Sequence, residues 1–239
     1  MVLTPGIRRL AVAILTSGLA VTASLDRAGA ADANRFPSPD RPVATVVSPA
    51  YSSEERRDRL GESERVLDRL GIRQGMRVAD IGAGDGYYTV RLARRLGDGA
   101  TIYAEDINGE YLQRLERRLR REQMSHVHIV RGEPRDPKLP RAAIDVAILA
   151  HMYHEIENPY EFLYRLWGSL DAGARVAVVD VDKRTEHHGT PPALLRCEMA
   201  AVGFRQVDFT DLAPADGYLA VFAPPEALPP VATIKPCRQ

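Results

Sequence analysis

Tryptophan occurs once and cysteine twice in 239 residues, and no apolar run is long enough to span a membrane. The longest such stretch, Leu10 to Val21, is about 12 residues, against the ~20 that a helix needs to cross a bilayer. Neither sign of charge is in excess, with 32 basic residues against 32 acidic ones, so non-specific nucleic-acid binding has no basic face to rest on. The two cysteines, Cys197 and Cys237, stand far apart in sequence. In an oxidising compartment they can pair and tie the C-terminal tail to the body; two unpaired thiols are the equal alternative, since sequence does not set their distance. What the chain does have is a 45% hydrophobic composition, enough for a full core in one domain.

The N-terminus carries Arg8-Arg9, then the apolar run, then small residues ending in Ala28-Gly29-Ala30. This order predicts a signal peptide over residues 1–30, cleaved before Ala31, and an exported, periplasmic or secreted protein. No cysteine near the site indicates a lipid anchor, and the residues flanking Arg8-Arg9 fit a twin-arginine signal poorly. The alternatives are an uncleaved segment that tethers the chain to the inner membrane, or a cytoplasmic protein. Without residues 1–30 the chain has 29 basic and 31 acidic residues, a net charge of −2. Residues 31–51, with Pro37, Pro39, Pro42 and Pro49, predict an extended linker over the surface.

The chain is organised around residues 78–93. The run Val78-Ala79-Asp80-Ile81 has the pattern of a buried parallel strand, and three glycines at alternate positions follow it, Gly82, Gly84 and Gly86. Val90, Leu92, Ala93 and Leu96 then recur with helical spacing. Strand, glycine turn and helix together present backbone N–H groups and a helix N-terminus to a ligand at the carboxyl edge of a sheet. A dinucleotide fingerprint requires its third glycine where Tyr87 stands, and that bulk opposes close helix–strand packing. The spacing G-x-G-x-G after Asp80-Ile81 instead resembles motif I of the class I S-adenosyl-L-methionine (SAM) methyltransferases. The resemblance implies SAM as cofactor, with the loop under its methionine part and Asp80 helping to hold its amino group.

A helix is expected from Ser52-Ser53, through Leu60, Val66, Leu67 and Leu70, to Gly71. Its charged run, Glu55 to Arg59, reads as a solvated face, although in the family such a helix often closes over the cofactor. From Arg77 strands and helices alternate, which implies a parallel sheet with right-handed crossovers. Phe204–Thr210 and Tyr218–Ala223 have no helix between them and predict a hairpin. The whole resembles the class I methyltransferase fold over residues 52–223: an α/β, three-layer αβα sandwich whose seven-stranded, mostly parallel sheet ends in an antiparallel hairpin. Residues 224–239, with five prolines, are expected to form a loose tail.

Glu105 and Asp106 end the second strand about 20 residues past the glycine loop, where a carboxylate accepts hydrogen bonds from a ribose diol. The resemblance puts that role on Asp106, with Glu105 as the neighbouring candidate; both acids also suit the dipole of the helix that follows. Gly132-Glu133 resembles the family's Gly-Asp-Ala, which implies that Glu133, or less directly Asp136, contacts the adenine amino group. After the fourth strand comes His151-Met152-Tyr153-His154-Glu155. It does not match the Asn/Asp-Pro-Pro-Tyr/Phe segment of DNA amino-methyltransferases, and no cysteine is near for thiolate attack on a pyrimidine. A His-rich segment is closer to the small-molecule O- and C-methyltransferases, including the ubiquinone/menaquinone type.

Methyl transfer from a sulfonium is an in-line displacement in which alignment supplies up to ~7–11 kcal/mol. A base is needed only where the acceptor's proton must leave, and histidine suits that task near neutral pH. The reading is His154 as base, oriented by Glu155 or Tyr153, with His151 lining the cofactor side; a histidine packed at the strand end is the alternative. No metal is expected, because His151 and His154 and the pair His187-His188 lie on separate loops and lack H-E-x-x-H spacing. The expected function is SAM-dependent methyl transfer to a small-molecule acceptor, without nucleic acid and with membrane contact only through the N-terminal segment. The alternatives are a non-catalytic SAM- or nucleotide-binding module and a nicotinamide-dependent oxidoreductase.

Overall fold

Strands buried on both faces are apolar at almost every position, and the middle of this sheet follows that rule. The structure, a computed structural model, describes residues 1–2, 35–46 and 53–239; the expected signal peptide and much of the proline-rich linker lie outside the described residues. Seven strands form one sheet: β1 (Arg77–Ile81), β2 (Thr101–Asp106), β3 (Val127–Arg131), β4 (Ile144–Ala150), β5 (Leu170–Asp180), β6 (Arg205–Asp211) and β7 (Tyr218–Ala223). Their order is β3-β2-β1-β4-β5-β7-β6, with β7 antiparallel to both neighbours and the others parallel. The order reverses between β1 and β4, so a crevice opens at their carboxyl ends.

Helices cover both faces. On one side, α5 (Pro159–Trp167) and α6 (Pro192–Ala201) place Tyr160, Leu163, Leu166, Leu195 and Met199 against Ala79, Ile81, Leu149, Val176 and Val178. On the other, α1 (Glu54–Arg59) leads into α2 (Glu62–Arg69), and α2 with α3 (Tyr87–Leu96) packs Val66, Leu67, Tyr88, Leu92 and Leu96 against Val78, Ile148, Ala177 and Val179. α4 (Gly109–Arg121) adds Leu115 and Leu119 beside Ala104 and Val90. This is the expected three-layer α/β sandwich with a C-terminal hairpin. Among the described residues no helix is long and apolar enough to cross a membrane.

Three local expectations are corrected. The first helix starts as expected, with the Ser53 hydroxyl accepting from the Arg56 N–H at 3.2 Å, but breaks at Gly61, whose φ of 67° admits a second helix at a new angle. The linker is not confined to the surface: Arg41 is buried and pairs with buried Glu198 at 2.9 Å, and the Ala44 N–H donates to the His154 carbonyl. The tail is docked rather than loose. Cys237 is disulfide-bonded to Cys197, Ile234 is buried, and the Cys237 N–H donates to the Tyr160 hydroxyl at 2.8 Å.

Candidate active site

The crevice at the carboxyl edge is a cavity lined by Gly82–Asp85, by Glu105, Asp106 and Ile107 after β2, by Glu133 and Pro134 after β3, and by Ala150–Met152 and Glu155–Glu157 after β4. The N-terminal segment and helices close it with Val46, Glu54, Arg56, Arg57, Leu60 and Glu62. Nine carboxylates line this space against two arginines, so its field attracts a cation and repels a pyrophosphate.

The glycine loop is fixed by what surrounds it. Gly82, at φ 69°, faces Met152, whose Cγ would lie 2.8 Å from an added Cβ. Gly86 precedes α3 at φ 89°, where an added Cβ would clash with the Leu115 side chain. Behind the loop, Asp80 is buried and accepts the Thr89 hydroxyl at 2.5 Å. Burial pushes its carboxyl up to about 6, opposed by the Thr89 hydrogen bonds. It lies beneath the loop and outside the cavity lining.

Both acids after β2 reach the cavity, in different states. Asp106 accepts from the Gly84 N–H at 2.9 Å and from the Asn108 N–H at 2.7 Å, so each of its oxygens braces a loop. Burial nevertheless raises its pKa, against those hydrogen bonds. Glu105 is buried, with Oε2 3.4 Å from the Gly82 N–H and no hydrogen-bond partner for Oε1 among the described residues. Burial and the neighbouring Asp106 charge push it well above the carboxylate range. Gly132 makes room for it, since an added Cβ there would meet Glu105 Oε1. Glu133 sits on the cavity rim paired with Lys138 at 3.1 Å, and Asp136 pairs with the same lysine at 3.1 Å.

The segment after β4 divides. His151 lines the cavity with φ 56°, its Nε2 3.3 Å from Glu62 Oε1, and Glu155 lines it too. Tyr153 does not; it is fully buried beneath Arg41, whose guanidinium carbon lies 5.8 Å from the ring centre. His154 also leaves the cavity, buried with Nδ1 at 3.1 Å from Asp180 Oδ2. The expected trio of base and orienting partners is therefore split, because the short 3-10 turn Tyr153–Glu155 points successive side chains in different directions.

Glu62 had no sequence signal. It accepts from Arg57 at 2.6 Å and from the Tyr88 hydroxyl at 2.9 Å as well as facing His151, so α2, α3 and the β4 turn meet on one carboxylate. Burial alone would raise it, but hydrogen bonds from His151 and Arg57 hold it at about 2. Arg57 also covers the Tyr87 ring at 3.6 Å, with Arg91 on the same ring at 3.7 Å. Part of the charged run on α1 thus faces inward, which corrects the solvated-face reading.

Residues 79–178 match the family described as a methyltransferase domain. Over this stretch, less than half of its length, the chain is similar to methyltransferase domains. Over 118 residues it is 27% identical to the ubiquinone/menaquinone biosynthesis C-methyltransferase UbiE of Vibrio campbellii, an alignment covering 49% of this chain and 46% of that relative. The chain spans about half the length of the curated relatives it matches. A SAM-dependent methyltransferase from Aquifex aeolicus shares the fold with a TM-score of 0.63 at 19% identity, over 72% of this chain and 98% of the other. The cyclase SpnF shares it with a TM-score of 0.63 at 15% identity, over 78% and 89%. The Aquifex aeolicus protein is a SAM-dependent enzyme, and the residues of this cavity fit that cofactor: its carboxylates suit a sulfonium and an ammonium, and the open Oε1 of Glu105 suits a sugar hydroxyl.

Proposed function

We propose that the chain transfers a methyl group from SAM to a small-molecule O- or C-acceptor. The observation that carries this reading is the carboxylate-rich cavity over a glycine loop, at the point where the strand order reverses. When bound, SAM supplies an electrophilic methyl on a sulfonium. The chain's residues hold it with Glu105 and Asp106 beside the glycine loop, and bring the acceptor in line with that methyl. Leu60, Ile107, Met152, Ile156 and Phe162 provide apolar walls that exclude water and suit a ring-bearing acceptor. His151, backed by Glu62 as an orienting carboxylate, takes over the proton-accepting role first given to His154.

The test is calorimetry with SAM, S-adenosylhomocysteine and a nicotinamide dinucleotide, followed by methyl-release assays over phenols and quinols. SAM and S-adenosylhomocysteine are expected to bind and the dinucleotide not to. His151→Asn should lower kcat by about 10²-fold with SAM affinity kept, the size expected for a lost general base. Binding without turnover on any acceptor supports the second reading, a non-catalytic SAM-binding module. Failure of SAM to bind removes both.

We also infer that the protein is exported. The Cys197–Cys237 disulfide, stable in oxidising compartments, and the signal-like order of residues 8–30 support this reading.

A further inference from the structure

The turn after β4 and the loop after β5, separate in sequence, converge beside the cavity. His154, Glu155 and His188 each offer a ligand atom there, and the three atoms lie within 4.8 Å of one another. His154 Nε2 is 4.0 Å from Glu155 Oε1, and the His154 and His188 rings meet edge to face with centres 5.6 Å apart. We propose that these three residues form a binding site for a divalent transition-metal ion of the zinc type.

Three features support it. Two imidazoles and one carboxylate are the donor set of an open, three-ligand zinc site. The nitrogen that faces away is held as ligating histidines are held: Asp180, fully buried, lies at 3.1 Å from His154 Nδ1 and is itself oriented by the Thr190 hydroxyl at 2.7 Å and the Val181 N–H at 2.8 Å. That partnership directs Nε2 to Glu155. The scale also fits, since tetrahedral bonds near 2.1 Å set ligand atoms roughly 3.4 Å apart, a contraction that side-chain rotations can supply. Glu155 lines the cavity while His154 does not, so the ion would sit at the cavity wall with an open position for an oxygen-bearing ligand. Although the histidines lie on separate loops and lack H-E-x-x-H spacing, β4 and β5 are adjacent parallel strands ending at the same edge, which brings the loops together.

The test uses the full chain without an affinity tag, stripped with a chelator and titrated with Co²⁺ alone. One equivalent is expected to bind, with visible absorption bands of a four- or five-coordinate ion, and Zn²⁺ should displace it. His188→Ala and Glu155→Gln should each weaken binding by about 100-fold, and Asp180→Asn by roughly 10- to 100-fold through loss of the orienting carboxylate. Circular dichroism monitors folding, and Glu155→Gln, nearly isosteric, carries the test if His188→Ala does not fold. A wild-type chain that takes up no Co²⁺, or a folded Glu155→Gln chain that binds it as tightly as wild type, overturns the proposal. Both readouts are independent of SAM binding and of methyl transfer.

Discussion

Asp80 is a motif residue that lies buried beneath the glycine loop, outside the cavity lining. Its carboxylate is enclosed under the glycine loop and bonded to Thr89, and its folded-state pKa is about 6 against an ordinary 3.8. The folded value is the raised one, so the folded chain holds this proton more tightly than the unfolded chain. The stability tied to it is full below about pH 4 and is lost as pH rises through 6. Some two pH units correspond to ~3 kcal/mol. Asp80→Asn keeps an acceptor for the Thr89 hydroxyl and cannot ionise. The stability of this variant relative to wild type is therefore expected to rise by about 3 kcal/mol between pH 4 and pH 7, measured by urea unfolding of the ligand-free protein. A difference that stays flat would show that Asp80 ionises normally. The glycine loop, Glu105 and Asp106 were legible in the sequence because their geometry is local: a strand, a turn and one crossover fix them. Glu62 was not, because its three partners come from α1, α3 and the β4 turn. Nor were the separate fates of His151 and His154, because direction within a three-residue turn is set by the surrounding packing.

Among elements, the segment 35–46 and the C-terminal tail do more than their proline content suggested. Arg41 reaches past the surface to Glu198 on α6, and its guanidinium also donates to the carbonyls of Tyr153, His154 and Ile156 at 3.3–3.5 Å. One side chain thus fixes the turn that carries the cavity's Glu155. Composition and periodicity read correctly the elements whose own residues form their contacts, such as β4 and the hairpin. They misread segments whose burial depends on a single long side chain or on a covalent link. Arg41→Ala leaves Glu198 buried without its partner and should destabilise the fold by about 3–5 kcal/mol. Replacing both Arg41 and Glu198 with Met should recover most of that loss, since a matched apolar pair leaves no orphaned charge. Chemical denaturation of the two variants checks this, and a single variant within about 0.5 kcal/mol of wild type would show the pair to be peripheral.

At the scale of the whole molecule, the proposed export rests on the disulfide and the N-terminal sequence, from opposite ends of the chain. Cys197 and Cys237 are 40 residues apart, and closing a loop of that size stabilises a fold by about 2–4 kcal/mol. The link holds the tail against α6, next to the Arg41–Glu198 pair, so a reducing cytosol would loosen the region that the N-terminal segment also secures. SAM is made in the cytosol, so an exported enzyme needs the cofactor supplied outside or carried through in the folded chain, and the second route serves a single turnover. Fractionation of cells producing the full chain is expected to place the protein outside the cytoplasm, with an N-terminus at Ala31 and no thiol that reacts with an alkylating reagent until a reductant is added. Recovery in the cytoplasm with an intact N-terminus and two reactive thiols would defeat the export reading. It would leave the cavity and its proposed chemistry standing, because neither cysteine of the disulfide lines the cavity.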